Sequence, residues 1–373
     1  MHGLKQIVLT AISMGIQYLS GLKFYDEVRT VHLERKSEAF DHIKIRYRRA
    51  NYDCNHQFAQ DMGAKKVNIF TLIFELIWHR PQVVELNEPL FLRQVLSLSL
   101  IIFVIRACDV IFRRRTYIVS YAIENLPLNE KIRSISPAFY WALKRPVPFL
   151  LQIIVSAYDR IAFGTKQSMM LYERLFVGLR KKVELEYFAA LEPPCPHCKI
   201  SKTPLSLLFL GAFDRRKGIL DLLNLWPSIV EGCIGAHLTI IGKGELADTV
   251  NSIAQEREDI TIYVDPPRSL IHRELSRSSC LVLLSQSSSS WREQIGLPIL
   301  EGLSHGCHII SNSETGMSEW LRDNGHLVID GAAKATDEII NYIRVPPNPK
   351  SVIDNLPKQS GRNLAEEWMW RAD

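Results

Sequence analysis

Two glutamates separated by seven residues, Glu293 and Glu301, stand in the stretch Ser-Ser-Ser-Ser-Trp-Arg-Glu-Gln-Ile-Gly-Leu-Pro-Ile-Leu-Glu-Gly that begins at residue 287. Proline is tolerated in the first turn of a helix, where its missing N–H has no intrahelical partner. Pro298 therefore marks a helix start that leaves Glu293 in a polar loop and sets Glu301 about one turn in. Carboxylates accept hydrogen bonds from hydroxyls, so Glu293 suits the hydroxyls of a sugar and Glu301 the vicinal hydroxyls of a ribose. The N–H groups of Gln294, Ile295, Gly296 and Leu297 at the helix entry would face the same ligand. Taken alone, such a pair is better read as a surface glutamate and a solvated helix residue. A glycosidase acid and nucleophile is the competing two-carboxylate chemistry, but the strand–turn–helix setting favours nucleotide contacts.

A second constellation precedes it. After a short apolar run the chain reads Gly211-Ala-Phe-Asp-Arg-Arg-Lys-Gly218, and a helical pattern starts at Ile219. Backbone N–H groups at a helix N-terminus, joined by Arg215, Arg216 or Lys217, form a ready site for a diphosphate. A solvated basic turn is the plain alternative. Gly242-Lys-Gly244-Glu245 is another glycine turn after an apolar run. It lacks the third glycine of a dinucleotide fingerprint and by itself reads as an ordinary β–α turn. Cys195-Pro-His-Cys198 has the spacing of half a zinc site or a redox pair. With no second pair in the sequence, linker cysteines are the expected reading and no metal is assigned. Trp291 is expected to anchor its loop rather than stack on a ligand.

These turns need a scaffold that gathers them. Apolar runs at 205–210, 236–241, 260–264, 280–284, 308–311 and 327–329 alternate with helical stretches at 219–230, 269–276, 298–305, 317–322 and 337–343, and a polar helical stretch starts at Glu245. That alternation is the sequence form of parallel strands joined by right-handed crossovers. The runs are almost wholly apolar, as strands covered on both faces must be. In a doubly wound α/β sheet, ligands bind outside the carboxyl ends of the strands, where the charged turns fall. In the first half, strands are expected at 7–10, 43–47, 83–86 and 117–120, with a helix over 67–78. Proline-dense stretches at 192–199 and 345–358 read as connections, and an amphipathic helix is expected over 363–370.

The pattern as a whole resembles the family 4 retaining glycosyltransferases, glycosyl transferases group 1, of GT-B fold. The likeness rests on Glu293-x₇-Glu301 with Gly296-Leu-Pro298 between, on Gly306-Cys-His-Ile-Ile-Ser after it, on both glycine turns, and on Gly316-Met-Ser-Glu319. It is clear over residues 203–330 and faint in the first half, where it rests on Pro81-Gln-Val-Val-Glu-Leu-Asn, Ser120-Tyr-Ala-Ile-Glu-Asn and Asp159-Arg-Ile-Ala-Phe. It implies two Rossmann-like doubly wound domains facing each other across a cleft. Residues 1–190 would form the acceptor side, 191–203 a linker and 204–345 the donor side, with the helix of a 346–373 tail packing back on the first domain. By the same likeness Glu301 would bind the donor ribose, Glu293 the donor sugar and Lys217 the diphosphate, with Val264 and Asp265 against the base. Glu293 and Lys217 would be catalytic, Lys217 and the helix N–H groups stabilising charge on the departing diphosphate, and transfer would retain anomeric configuration. The donor would be a UDP- or GDP-sugar used as co-substrate, with no built-in cofactor, and the acceptor a glycan or lipid-linked molecule in cell-surface glycan synthesis. Two departures stand out. Ala212 occupies a position where the family usually has arginine, and near Ala122 and Glu124 there is no counterpart of its usual first-domain histidine. They keep open a catalytically weak nucleotide-sugar-binding protein; a sugar-nucleotide epimerase is the third reading.

Composition agrees with this frame. The chain has 373 residues, enough for two domains, with 47% hydrophobic and 23% charged residues and a net charge of +5. Basic clusters such as Arg113-Arg114-Arg115 and Lys181-Lys182 suit phosphates or an anionic bilayer. They are too scattered for a nucleic-acid stripe, so no nucleic-acid partner is expected. The scattered single cysteines suggest a reducing, cytoplasmic compartment, and no secretory leader is evident at the N-terminus. Residues 95–112 form the strongest membrane candidate. Arg106 and Asp109 interrupt it, so a core helix or a segment lying on the inner membrane face is expected rather than a span.

Overall fold

The computed structural model describes residues 20–33, 43–51, 54–196, 201–331, 334–345 and 348–371. The strand expected at 7–10, the reading of the N-terminus and the second cysteine of the Cys-x-x-Cys stretch lie outside them. The chain divides into two compact units. One comprises Met1–Gly164, Ser168–Ala189 and Arg362–Asp373; the other comprises Thr165–Gln167 and Ala190–Gly361.

The first unit holds a seven-stranded sheet of β1 (Gly21–Val28), β2 (Ile43–Ala50), β3 (Lys65–Lys66), β4 (Val83–Glu85), β5 (Tyr117–Ala122), β6 (Arg160–Phe163) and β7 (Glu184–Tyr187). The strands run in the order β3-β2-β1-β4-β5-β6-β7 and every pair is parallel. Strand β1, at the point where the order reverses, is absent from the sequence expectations because Lys23 and Asp26 break its apolar run. Both are buried, which requires paired charge. Lys23 Nζ lies 2.6 Å from Glu366 Oε1 and 3.7 Å from Glu85 Oε2. Asp26 is met by Arg48 at 2.5 Å and Arg49 at 2.9 Å.

The terminal helix Gly361–Trp370 covers one face of this sheet. Ala365, Met369 and Trp370 pack with Val83, Val119 and Ala162, all fully buried. Gly21 admits the indole: a Cβ there would lie 1.9 Å from the Trp370 ring. The buried Arg160 guanidinium donates to the carbonyls of Met369 and Arg371 at 3.2 and 2.7 Å.

Helix Val95–Ile111 lies on the opposite face, burying Leu98, Ile101, Ile102 and Ile105 in the main core cluster. With the preceding 3₁₀ turn, Leu92–Ile111 is long and apolar enough to cross a membrane by length and composition. Its other face keeps Leu96, Leu100, Phe103 and Val110 exposed.

The second unit holds a six-stranded parallel sheet of β8 (Thr203–Leu210), β9 (His237–Gly242), β10 (Ile260–Val264), β11 (Ser278–Leu283), β12 (His308–Asn312) and β13 (Leu327–Ile329). The order is β10-β9-β8-β11-β12-β13. Each strand follows one of the apolar runs in the sequence, shifted by a few residues at most. The order reverses between β8 and β11, and their carboxyl ends are where a doubly wound sheet opens a crevice. Helix Leu297–Ser304 begins at Gly296 with proline in its first turn, as the sequence predicts.

The pairing of Lys23 yields a stability test. Glu366→Ala removes the shorter of its carboxylate partners from a buried site and is expected to destabilise the protein by about 3 kcal/mol. Urea unfolding of the full chain measures it; a loss below about 1 kcal/mol would show that the pair behaves like an exposed one.

Candidate functional site

Four successive turns line one edge of the second sheet, and backbone hydrogen bonds connect them. The N–H of Gln286, after β11, donates to the Arg216 carbonyl, after β8, at 2.8 Å. The N–H of Phe213 donates to the Lys243 carbonyl, after β9, at 2.8 Å. The N–H of Asp265, after β10, donates to the Gly242 carbonyl at 3.0 Å. The turns at the switch point approach closely. Gly218 has φ +72°, and a Cβ there would fall 1.9 Å from the Leu284 carbonyl oxygen. Only glycine allows both that conformation and that contact. Gly242 and Gly244 do the same for the neighbouring turn, where added Cβ atoms would meet the carbonyls of Gly211 and Phe213 at 1.9 and 2.6 Å. The N–H of Gly211 donates to the Ile241 carbonyl at 3.0 Å.

This lacing brings together residues distant in sequence. Lys217 Nζ lies 2.5 Å from Glu293 Oε2, and both side chains are mostly buried. Ser285 Oγ donates to the same carboxylate oxygen at 3.1 Å. The Arg215–Lys217 3₁₀ turn is capped by Asp214, whose side chain accepts from the Arg216 N–H and pairs with Arg216 Nε at 2.6 Å. Burial pushes the Asp214 carboxyl up, but its Arg216 hydrogen bonds and the nearby cations prevail and hold it below the usual carboxylate range. Trp291 is half-buried, with the Arg216 guanidinium 4.8 Å and Lys217 Nζ 5.1 Å from its ring. Cation–π contact thus adds to its expected role as loop anchor. Arg215 is exposed.

The approach to the helix is also fixed. The Gly316 N–H donates to the Glu293 carbonyl at 3.1 Å, and a Cβ on Gly316 would lie 2.1 Å from the Gln294 carbonyl oxygen. Thr315 Oγ1 donates to the Ile295 carbonyl at 2.9 Å. Gly296, with φ +82°, turns the chain into the helix, and Leu297 at its start is half-exposed.

Two further predicted residues have partners of their own. Glu301 is not among the partners of Lys217; its carboxylate takes both Arg268 guanidinium nitrogens, at 2.8 and 3.3 Å. The exposed carboxylate of Asp265 is bound by Lys243 Nζ at 3.0 Å, and Val264 beside it is half-exposed. Ser285, Arg268 and Lys243 were not anticipated as partners. Their signal was positional: each lies just past a strand on the edge where the glycine turns fall. In the first unit, Glu88 follows β4 and accepts from the N–H groups of Ile123 and Glu124 at 3.0 and 2.9 Å and from the Tyr172 hydroxyl at 3.1 Å. Burial, and then the charge of Glu124, push its carboxyl up to about 7 against those backbone bonds and the charge of Lys131. Lys131 pairs with Glu124 itself.

With the geometry established, comparison with known proteins assigns the fold. Residues 204–344 match the profile of the family described as Glycosyl transferases group 1. No curated protein matches the chain. Among solved structures, the apo form of the lipopolysaccharide outer core galactosyltransferase WaaB is similar over 93% of this chain and 98% of that one, with TM-score 0.60 and 11% identity. Anabaena HepE in complex with UDP gives TM-score 0.61 and 10% identity over 94% of each chain. A UDP-forming α,α-trehalose-phosphate synthase from Burkholderia xenovorans gives 0.59 and 9% over 94% of this chain and 96% of that one. At such identities the likeness carries the fold. The chain thus has the GT-B fold of two parallel α/β units, and its residues 204–344 match the group 1 glycosyl transferase profile.

Proposed function

We propose that this protein transfers a sugar from a UDP-sugar to an acceptor hydroxyl with retention of configuration, binding the donor along the edge formed by the turns after β8, β9, β10 and β11. The observation that carries this reading is the Lys217–Glu293 contact at the switch point of a sheet whose sequence matches group 1 glycosyl transferases. UDP is favoured over GDP because HepE was solved with UDP-glucose and the trehalose-phosphate synthases are UDP-forming.

In the unliganded chain Lys217 and Glu293 neutralise each other. A bound donor would set its diphosphate against Lys217 and the N–H groups of residues 294–297, and its sugar hydroxyls against Glu293. The bond from the anomeric carbon to the diphosphate oxygen breaks with its electron pair going to that oxygen. The acceptor oxygen bonds to the same face of the sugar, and its proton passes to the departing phosphate. Lys217 acts electrostatically on charge that develops only as the bond breaks, so it lowers the barrier rather than only strengthening binding. Glu301 would accept from the ribose hydroxyls after giving up part of its Arg268 contact.

The acceptor is proposed to be lipid-linked, for cell-surface glycan synthesis, with the first unit resting on the inner membrane face. In support, neighbouring helices Ile69–His79, Val95–Ile111 and Pro146–Val155 expose Phe70, Phe74, Trp78, Leu96, Phe103 and Phe149 to solvent. Exposed apolar residues of that size, near Arg113, Arg114 and Arg115, suit an interfacial surface.

Two measurements test the proposal. Lys217→Met should lower kcat for sugar transfer by about 100-fold or more, and Glu293→Gln should lower it while leaving UDP affinity within a few-fold. Products read by NMR should show the donor's anomeric configuration preserved. Release of the epimer of the donor sugar nucleotide, or binding without turnover in the presence of lipid-linked acceptors, would contradict the transfer reading. Separately, the chain should co-sediment with anionic vesicles, less so at high salt, and Phe103→Asp should abolish this; indifference to anionic lipid would remove the membrane assignment.

A further inference from the structure

The linker entering the second unit meets the carboxyl end of the Glu301-bearing helix. The Cys195 N–H donates to the Ser304 carbonyl at 2.8 Å, which sets Cys195 beside His305, the residue that caps helix Leu297–Ser304. His272 approaches from helix Arg268–Arg277, its Nδ1 lying 3.0 Å from His305 Nε2. The Cys195 sulfur and one nitrogen of each imidazole all lie within 4.8 Å of one another. Three segments remote in sequence thus bring one sulfur and two imidazole nitrogens together.

The hydrogen bonds around His305 give that point its chemistry. His305 Nδ1 lies 2.7 Å from the Glu301 carbonyl, an acceptor only, so Nδ1 carries the proton. In a neutral ring Nε2 then presents a bare lone pair toward His272. A histidine whose second nitrogen donates to a backbone carbonyl is the arrangement that orients a metal ligand. Zinc bonds of roughly 2.0 Å to nitrogen and 2.3 Å to sulfur require ligand atoms only a few tenths of an ångström further apart than the two imidazole nitrogens are.

We propose that Cys195, His272 and His305 hold a zinc ion in the reduced protein, clamping the linker to the two helices that carry Arg268 and Glu301. In this structure Cys195 is disulfide-bonded. Filling the site therefore requires a dithiol reductant, which gives two electrons and two protons to the disulfide and is itself oxidised. The Cys195 thiol then releases its proton to solvent as it ligates the metal. The proposed zinc lies at the carboxyl end of the helix whose amino end follows Glu293, so it would brace the donor edge from outside. Its occupancy can be measured without reference to transfer activity.

The test is metal titration of the full chain. Demetallated protein in dithiothreitol, titrated with zinc against a chromophoric chelator, should bind one ion per chain. Cobalt in its place should show thiolate-to-cobalt charge-transfer absorption. His272→Ala and Cys195→Ser, with folding checked by circular dichroism, should each weaken binding by at least about tenfold, whereas Cys233→Ser should not. Protein oxidised with diamide should take up none. Should His272→Ala fail to fold, Cys195→Ser and the cobalt spectrum still decide. Absence of stoichiometric zinc in the reduced protein, or binding that survives loss of Cys195, would overturn the site.

Discussion

The edge proposed to hold the donor depends on how closely the turns after β8 and β11 can approach. Lys217 and Glu293 are 76 residues apart in sequence yet share a 2.5 Å contact. What permits it is the absence of a side chain at Gly218, whose missing Cβ leaves the Leu284 carbonyl its place. A parallel doubly wound sheet brings the carboxyl ends of these two strands side by side wherever the strand order reverses. The fold supplies the neighbourhood, and one glycine supplies the distance. The remaining turns follow the same rule, with Gly242, Gly244 and Gly316 each standing where a backbone oxygen comes too near for a Cβ.

This arrangement explains a balance of charge that sequence alone did not disclose. Arg268, Lys243 and Lys217 each face a carboxylate: Glu301, Asp265 and Glu293. These three cations are therefore already paired, and under the proposed function an incoming diphosphate would redirect them. The Lys217 pair matters most because it is the most buried of the three, and charge interactions strengthen as water is excluded. The other two are more exposed and contribute correspondingly little to stability.

The two units differed in how much the sequence disclosed, for a physical reason. Strands of the second sheet are almost wholly apolar, and each ends at a glycine or polar turn, so its elements and most of its edge residues could be placed from the sequence. The first sheet contains charges inside its strands. Lys23 in β1 is neutralised by Glu366, 343 residues away, and no local pattern can signal such a partner. Strand β6 likewise carries the buried Arg160, satisfied by carbonyls of the terminal segment. Glu88 was illegible for a similar cause: what perturbs it comes from the segment after β5 and from burial. The cysteine–histidine cluster was half visible, since the Cys-x-x-Cys spacing was noted but His272 and His305 join it only through the packing of two helices.

The central claim is that four turns form one surface that recognises a single nucleotide sugar. Hydrogen–deuterium exchange of the full chain with and without UDP tests it most directly. The account predicts that the amides of residues 213–218 and 293–297 are slowed together on UDP binding, with weaker protection near residues 264 and 265. Bound UDP that protects neither the lysine turn nor the Glu293 segment, or only one of them, would contradict it.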